Sequence, residues 1–220
     1  MNLLNYPLVI FDWDGTLMNS VGQIVNALQQ SCVDINLPMP SYEGAAYAIG
    51  LSIQEVLRQV APTATPDQLE QLLNRYRYHY LKSENEIFLY PKALELMQSL
   101  QQHNIKMAVA TGKNRVGLNR VLKTSPLQSF FATTRCADES EPKPSAAMVN
   151  EILEELGVHS SQAIVIGDTT HDVWMAKNAK VNVVALTQGA HSRDELEKSE
   201  PTLILDHIAQ LYEHINRATR

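Results

Sequence analysis

The feature that most constrains this chain is a series of short apolar runs at residues 8–11, 107–110, 163–166, 181–186 (broken once, at Asn182) and, more weakly, 203–205. A strand with one wet face needs a polar residue at every second position, so uninterrupted runs of this length predict strands buried on both faces. Between them lie amphipathic patterns with helical spacing: Ala93, Leu96, Met97 and Leu100, then Met148, Val149, Ile152, Leu153 and Leu156, and last Ile208, Leu211, Tyr212 and Ile215. Strands alternating with helices imply right-handed crossovers, and hence an α/β, Rossmann-like, mainly parallel sheet with helices on both faces.

Residues 18–89 break the rhythm, with helical patterns and no convincing strand. Val21, Ile24, Val25, Leu28, Cys32 and Ile35 share one face, as do Ile53, Val56, Leu57 and Val60, and again Leu69, Leu72, Leu73, Tyr76 and Tyr80. Ser52 with Glu55 three residues on predicts a capping box ahead of the second helix. This is a small all-helical insertion after the first strand, expected to sit as a cap over the carboxyl edge of the sheet. The core is then 1–17 with 90–220, and the cap is 18–89.

With 220 residues, 45% hydrophobic and 19% charged, the chain has enough apolar material for a packed core, which excludes disorder and low-complexity classes. A net charge of −6 gives no general attraction to nucleic acid or to an anionic membrane. No apolar run approaches the ~18–20 residues of a membrane span, and acids interrupt the start where a signal peptide needs an apolar core, so a cytoplasmic location is expected. The two cysteines, Cys32 and Cys136, lack any metal-binding spacing and read as buried free thiols.

Polar chemistry gathers where the apolar runs end. Asp12 and Asp14, in DWDGTL, follow the first run, and Gly15 permits a sharp turn behind them. Thr111 and Gly112 follow the second. Lys143 stands between two prolines in EPKPS, and Asp168 and Asp172, in GDTTHD, follow the third run and enter a helix. Each has a plainer reading: an acidic turn, a Thr-Gly turn, a solvated lysine, acids favouring a helix dipole. Their joint placement outweighs these, because open parallel sheets bind ligands in the crevice beyond the carboxyl ends of their strands. Four carboxylates against one lysine in a dry cleft would repel one another. A divalent cation relieves that, and hard oxygen donors without a Cys or His cluster favour Mg²⁺ over Zn²⁺.

In this order, DWDGTL, ATGK, the lysine of EPKPS and GDTTHD resemble the four motifs of the haloacid dehalogenase-like phosphohydrolases, most closely their phosphoglycolate phosphatase-like branch. The resemblance spans nearly the whole chain. It implies that Asp12 is a nucleophile forming an aspartyl-phosphate, that Asp14 protonates the leaving oxygen and then activates water, and that Thr111, Gly112 and Lys143 hold phosphate. Asp12, the Asp14 backbone carbonyl and Asp168 would hold Mg²⁺, with Asp172 in support. The chain departs from the family pattern at Gly112, where many relatives have Asn, and at Lys92, where many have Gly.

The implied activity is hydrolysis of a small phosphorylated metabolite, phosphoglycolate first, by a monomer or homodimer. Within the superfamily the alternatives are a nucleotidase, a pyrophosphatase or a sugar phosphomutase, and outside catalysis a phosphate-binding regulatory protein. A P-loop is disfavoured because Gly112-Lys113 precedes Asn114 and lacks the upstream glycine. Acids outnumber bases in the cap. There Arg75, Tyr78, His79 and Lys82 share a helical face, and Arg75 or Lys82 is the expected partner for a substrate carboxylate. The run Ile49-Gly50-Leu51-Ser52 resembles a cap substrate loop.

Overall fold

β1 (Leu8–Phe11) sends Val9 and Phe11 into one apolar cluster and Leu8 and Ile10 into another, so it must lie between two layers. The computed structural model describes residues 3–83 and 88–218; residues 84–87, within the segment assigned to the cap, and the chain ends lie outside the described residues. After β1 come β2 (Met18–Asn19), α1 (Val21–Asp34), α2 (Tyr42–Tyr47), α3 (Ile53–Val60), α4 (Pro66–Ser83) and β3 (Phe88–Leu89). The alternation then resumes with α5 (Ala93–Gln102), β4 (Lys106–Thr111), α6 (Arg115–Thr124), β5 (Phe131–Cys136), α7 (Ala147–Leu156), β6 (Ala163–Gly167), α8 (Thr170–Asn178), β7 (Asn182–Leu186), α9 (Arg193–Lys198), β8 (Leu203–Leu205) and α10 (Ile208–Ala218).

The large sheet has the order β5-β4-β1-β6-β7-β8, and every neighbouring pair is parallel. Met107 and Val109, Ile164 and Ile166, and Val184 and Leu186 share the side of Val9 and Phe11, where α5 and α10 cover them. The opposite faces of these strands meet α7 and α8. This is the α/β sandwich that the apolar runs predict.

Register brings the chemistry to one level. Phe11 pairs with Val109 on one side and Ile166 on the other, so β1, β4 and β6 end nearly flush, and Asp12, Thr111 and Asp168 emerge together. The chain runs from β1 outward through β4 and β5, then returns to β6 and runs outward the other way. The reversal lies between β1 and β6, where parallel sheets open a crevice.

The helices α1 to α4 bury a cluster of their own around Leu28, Leu57 and Leu72. The Ser52–Glu55 capping box is present. Contrary to the strand-free reading of 18–89, Met18–Asn19 and Phe88–Leu89 form a short antiparallel pair that ties the two ends of this segment together. Reading apolar runs also overlooks β5: it is an edge strand whose Thr133, Thr134 and Arg135 stay partly exposed, so it carries no continuous apolar signal. Among the described residues, no helix is long and apolar enough to cross a membrane.

Ile10 is fully buried at the centre of the sheet. Ile10→Ala is expected to cost about 2–5 kcal/mol through lost burial and the residual cavity, measured as a lowered urea midpoint with unchanged slope. An unshifted midpoint would contradict the central position of β1.

Candidate active site

The end of β1 is held by the strand beside it. The Asp12 backbone N–H donates to the Ile166 carbonyl at 2.9 Å, fixing the direction in which the next residues leave the sheet. The chain then turns at Gly15, whose φ of +79° lies in the left-handed region, and a Cβ there would come within 2.7 Å of the Asp168 carboxyl carbon. Glycine thus lets the first acidic loop close onto the third. Thr16, just beyond, donates its hydroxyl to Asp168 Oδ1 at 2.6 Å. Asp168 Oδ2 accepts from the Ala190 backbone N–H at 2.8 Å.

Lys143 is buried and joins two of these loops, with Nζ 2.6 Å from Asp12 Oδ1 and 2.7 Å from Asp172 Oδ1. Asp172 is aimed by a capping box at the start of α8: Thr169 caps the helix, and its backbone N–H and hydroxyl both donate to Asp172 Oδ2. Both oxygens of Asp172 are therefore engaged. Asp14 is held from two sides, accepting from the Ser20 hydroxyl at 2.7 Å and pairing with Lys113 Nζ at 3.0 Å.

Burial dominates the electrostatics. It pushes Asp12 up to about 7, with Lys143 opposing the rise and the nearby Asp172 and Asp14 carboxylates adding to it. Burial likewise drives Asp168 well above the usual carboxylate range, with Asp12 and Asp172 adding their repulsion. Asp172 ends below that range: burial works against its charge, but Lys143 outweighs it. The lysine ends above its own range, since Asp12 and Asp172 more than offset its burial.

Asp12 Oδ2 is buried without a hydrogen-bond partner. Asp12, Asp168 and Asp172 each offer a carboxylate oxygen within 4.8 Å of the others, and all three are buried. An orphaned carboxylate oxygen among crowded, desolvated carboxylates is the environment a hard cation stabilises, and the all-oxygen donor set suits one. The residues present therefore fit a divalent metal.

Thr111 ends β4 fully buried, and its Oγ1 accepts from the Lys113 backbone N–H at 3.2 Å, which leaves its own proton free to donate. Gly112 stands where the helical segment touches the sheet edge, and a Cβ would lie 2.6 Å from the Gly50 carbonyl oxygen and against that of Leu51. The departure from Asn at this position thus has a steric reason. A cavity of about 450 Å³ opens here, floored by Asp12, Asp14, Thr111 and Gly112 and walled by Ile49, Gly50 and Leu51 and by Leu73, Tyr76 and Tyr80 of α4.

The sequence-predicted residues Asp12, Asp14, Thr111, Gly112, Lys143, Asp168 and Asp172 thus meet at one crevice. The expectation for the cap is corrected. Arg75 and His79 both pair with Asp34 of α1, so this face of α4 serves helix packing, and the arginines lining the cavity are Arg77 and Arg120. Sequence reading also overlooked Lys113 as a site residue. It overlooked a second junction as well: the Nε2–H groups of His171 and His191 both donate to the Tyr47 carbonyl at 3.0 Å, and the Tyr47 ring stacks on His191 at 4.5 Å. Thr170 N–H donates to His191 Nδ1, so that ring is neutral with its proton on Nε2. The GDTTHD run contained His171, but nothing local pointed it at a carbonyl 124 residues away.

The model of the family described as "Haloacid dehalogenase-like hydrolase" matches residues 9–186. The chain is 29% identical to "Probable phosphatase IndB" of Dickeya dadantii, over 93% of this chain and 91% of that protein. It is 27% identical to a phosphoglycolate phosphatase of Agrobacterium fabrum, over 93% of this chain and 90% of that one. The crystal structure of a hydrolase from Pseudomonas syringae superposes with a TM-score of 0.85 at 26% identity, over 95% of this chain and 97% of that one. The matched span runs from the strand that delivers Asp12 to the one that follows Asp172, and the chain belongs to the haloacid dehalogenase-like hydrolase family.

Proposed function

We propose that this hydrolase is a phosphatase that cleaves a small phosphomonoester through an aspartyl-phosphate on Asp12, with phosphoglycolate as the leading substrate. The observation that carries the reading is the Asp12 carboxylate itself: one oxygen is held by Lys143 and the other is buried without a partner, beside a second carboxyl and a cavity. The phosphatase and phosphoglycolate phosphatase names of the relatives support the same chemistry.

On this reading an Asp12 oxygen attacks phosphorus while the bond to the leaving oxygen breaks, and the Asp14 carboxyl gives that oxygen its proton. Asp14, now ionised, takes a proton from water, whose oxygen attacks the same phosphorus and frees Asp12 and inorganic phosphate. The Thr111 hydroxyl donates to a phosphate oxygen, the Gly112 backbone borders it, and Lys143 offsets the charge that develops. The donors of Asp12, the Asp14 carbonyl and Asp168, with Asp172 in support, suit Mg²⁺, which would neutralise carboxylate and phosphate charge there. We assign residues 18–89 as the cap and 1–17 with 90–220 as the core. The cap would exclude water around the intermediate when seated and admit it when open. We also assign a cytoplasmic setting, with which two free, buried thiols are compatible, and action as a monomer or homodimer.

A kcat/KM panel of phosphoglycolate, hexose phosphates, nucleoside monophosphates and pyrophosphate tests the substrate. A clear preference for nucleotides or pyrophosphate would replace the phosphoglycolate choice. Asp12→Asn should fold normally yet release no phosphate, because an amide is a poor nucleophile, and near-wild-type turnover would remove Asp12 from the nucleophile role. Asp14→Asn is expected to lose more than ~10²-fold.

A metal that binds only the folded chain must raise its stability. Mg²⁺ at about 100 times its Kd is expected to raise Tm by roughly 5–10 °C, and Asp168→Ala should abolish most of that shift. Chelation should stop turnover, and Mg²⁺ should restore it. Equal Tm with and without the ion would contradict the metal site.

A further inference from the structure

Lys113 is unused by the chemistry above, yet it is deeply placed. Its side chain is 11% exposed, its Nζ lies 3.0 Å from Asp14 Oδ2 and 3.0 Å from the Tyr80 hydroxyl, and it lines the cavity over Asp12. Burial works against its charge, but Asp14, Tyr80 and Tyr76 more than offset this and hold the ammonium above its usual range. Paired with Asp14 and lining the cavity, its ammonium sits in surroundings where charge pairing is strong.

Its position relative to the reacting atoms follows from Asp14. To pass its proton, the Asp14 carboxyl must come within about 3 Å of the leaving oxygen. Lys113, paired with Asp14, then stands beside the leaving group. An ammonium carries three N–H donors; Asp14 and Tyr80 engage two, and one remains for an incoming anion. Size does not select here, since about 450 Å³ admits the two-carbon acid and its larger competitors alike. Charge can: apolar walls such as Ile49, Leu51 and Leu73 leave an anionic group dependent on the cations present, and Lys113, which shares the cavity with Arg77 and Arg120, is paired with Asp14.

We propose that Lys113 is the specificity-determining residue of the leaving-group subsite, pairing with a carboxylate carried one carbon from the ester oxygen. The substrate class is thus phosphomonoesters of short hydroxy acids rather than of neutral alcohols. This rests on the phosphatase reading above and replaces Arg75 and Lys82 as the carboxylate partner.

The test compares kcat/KM for phosphoglycolate and ethyl phosphate, which differ in the carboxylate, in the Mg²⁺-supplemented wild type, Lys113→Met and Lys113→Arg. The wild-type preference for phosphoglycolate should fall roughly 10- to 100-fold in Lys113→Met, chiefly through KM, and Lys113→Arg should recover part of it. A ratio unchanged by Lys113→Met would overturn the assignment, because a purely structural lysine would depress both substrates together. Should Lys113→Met fail to fold, the wild type still decides. The inert isostere 3-phosphonopropionate should inhibit p-nitrophenyl phosphate hydrolysis at least about tenfold more tightly than propylphosphonate, and equal inhibition would sink the proposal while leaving the phosphatase intact. A wild type that releases phosphate from no phosphomonoester would instead remove the phosphatase reading, and this inference with it.

Discussion

The contact on which the rest of the molecule depends is the buried ammonium of Lys143 between Asp12 and Asp172. Unpaired buried charges are too costly to keep, and breaking such a pair from one side typically costs about 3–5 kcal/mol. The three residues come from the end of β1, the loop before α7 and the first turn of α8, so their mutual neutralisation is possible only when β1 and β6 are adjacent and in register. The sheet order and the charge balance are one requirement. Lys143 accounts for one oxygen of each acid, and what it leaves over, Asp12 Oδ2 and the crowded Asp168, is the part of the negative charge that suits a cation.

How much of this the sequence made legible depends on how local each signal is. The central strands were readable because burial on both faces writes itself into consecutive residues, as in 107–110 and 163–166. The site acids were readable because a strand end plus a parallel sheet fixes where they must emerge. Edge strand β5 was not, since its outer side faces water, and neither was α9, a six-residue helix with one fully buried apolar residue, Leu196. Arg75 misled for a related reason. Helical spacing places it on a face with His79, but only the packing of α1 against α4 shows that Asp34 occupies that face. Contacts such as Tyr47 with His171 and His191, or Tyr80 with Lys113, join residues far apart in the chain, and no pattern in either partner announces them.

Gly112 shows how a departure from a family pattern can be a structural adjustment. Taken alone, glycine in place of a side-chain amide is a lost contact. In the folded chain the carbonyls of Gly50 and Leu51 press so close that any Cβ would have to displace the helical segment's backbone. The close approach at Gly112 sets Ile49, Gly50 and Leu51 as cavity walls. The capping box at Ser52 fixes the start of α3 directly behind that contact, so the loop meets Gly112 as a braced element.

Two lysines divide the crevice. Lys143 faces Asp12 and Asp172, acids that the fold cannot leave unpaired. Lys113 faces the cavity, and it shares itself between Asp14 and a phenol on the helical segment, a weaker acceptor. Each ammonium has three N–H donors and two protein partners, so each keeps one donor for an incoming anion, Lys143 beside Asp12 and Lys113 beside Asp14. On the proposed reading, Lys143 offsets charge at the phosphate while discrimination among leaving groups falls to Lys113. Because one of its partners is Tyr80 of α4, Lys113 also ties the helical segment to the sheet edge beyond β4.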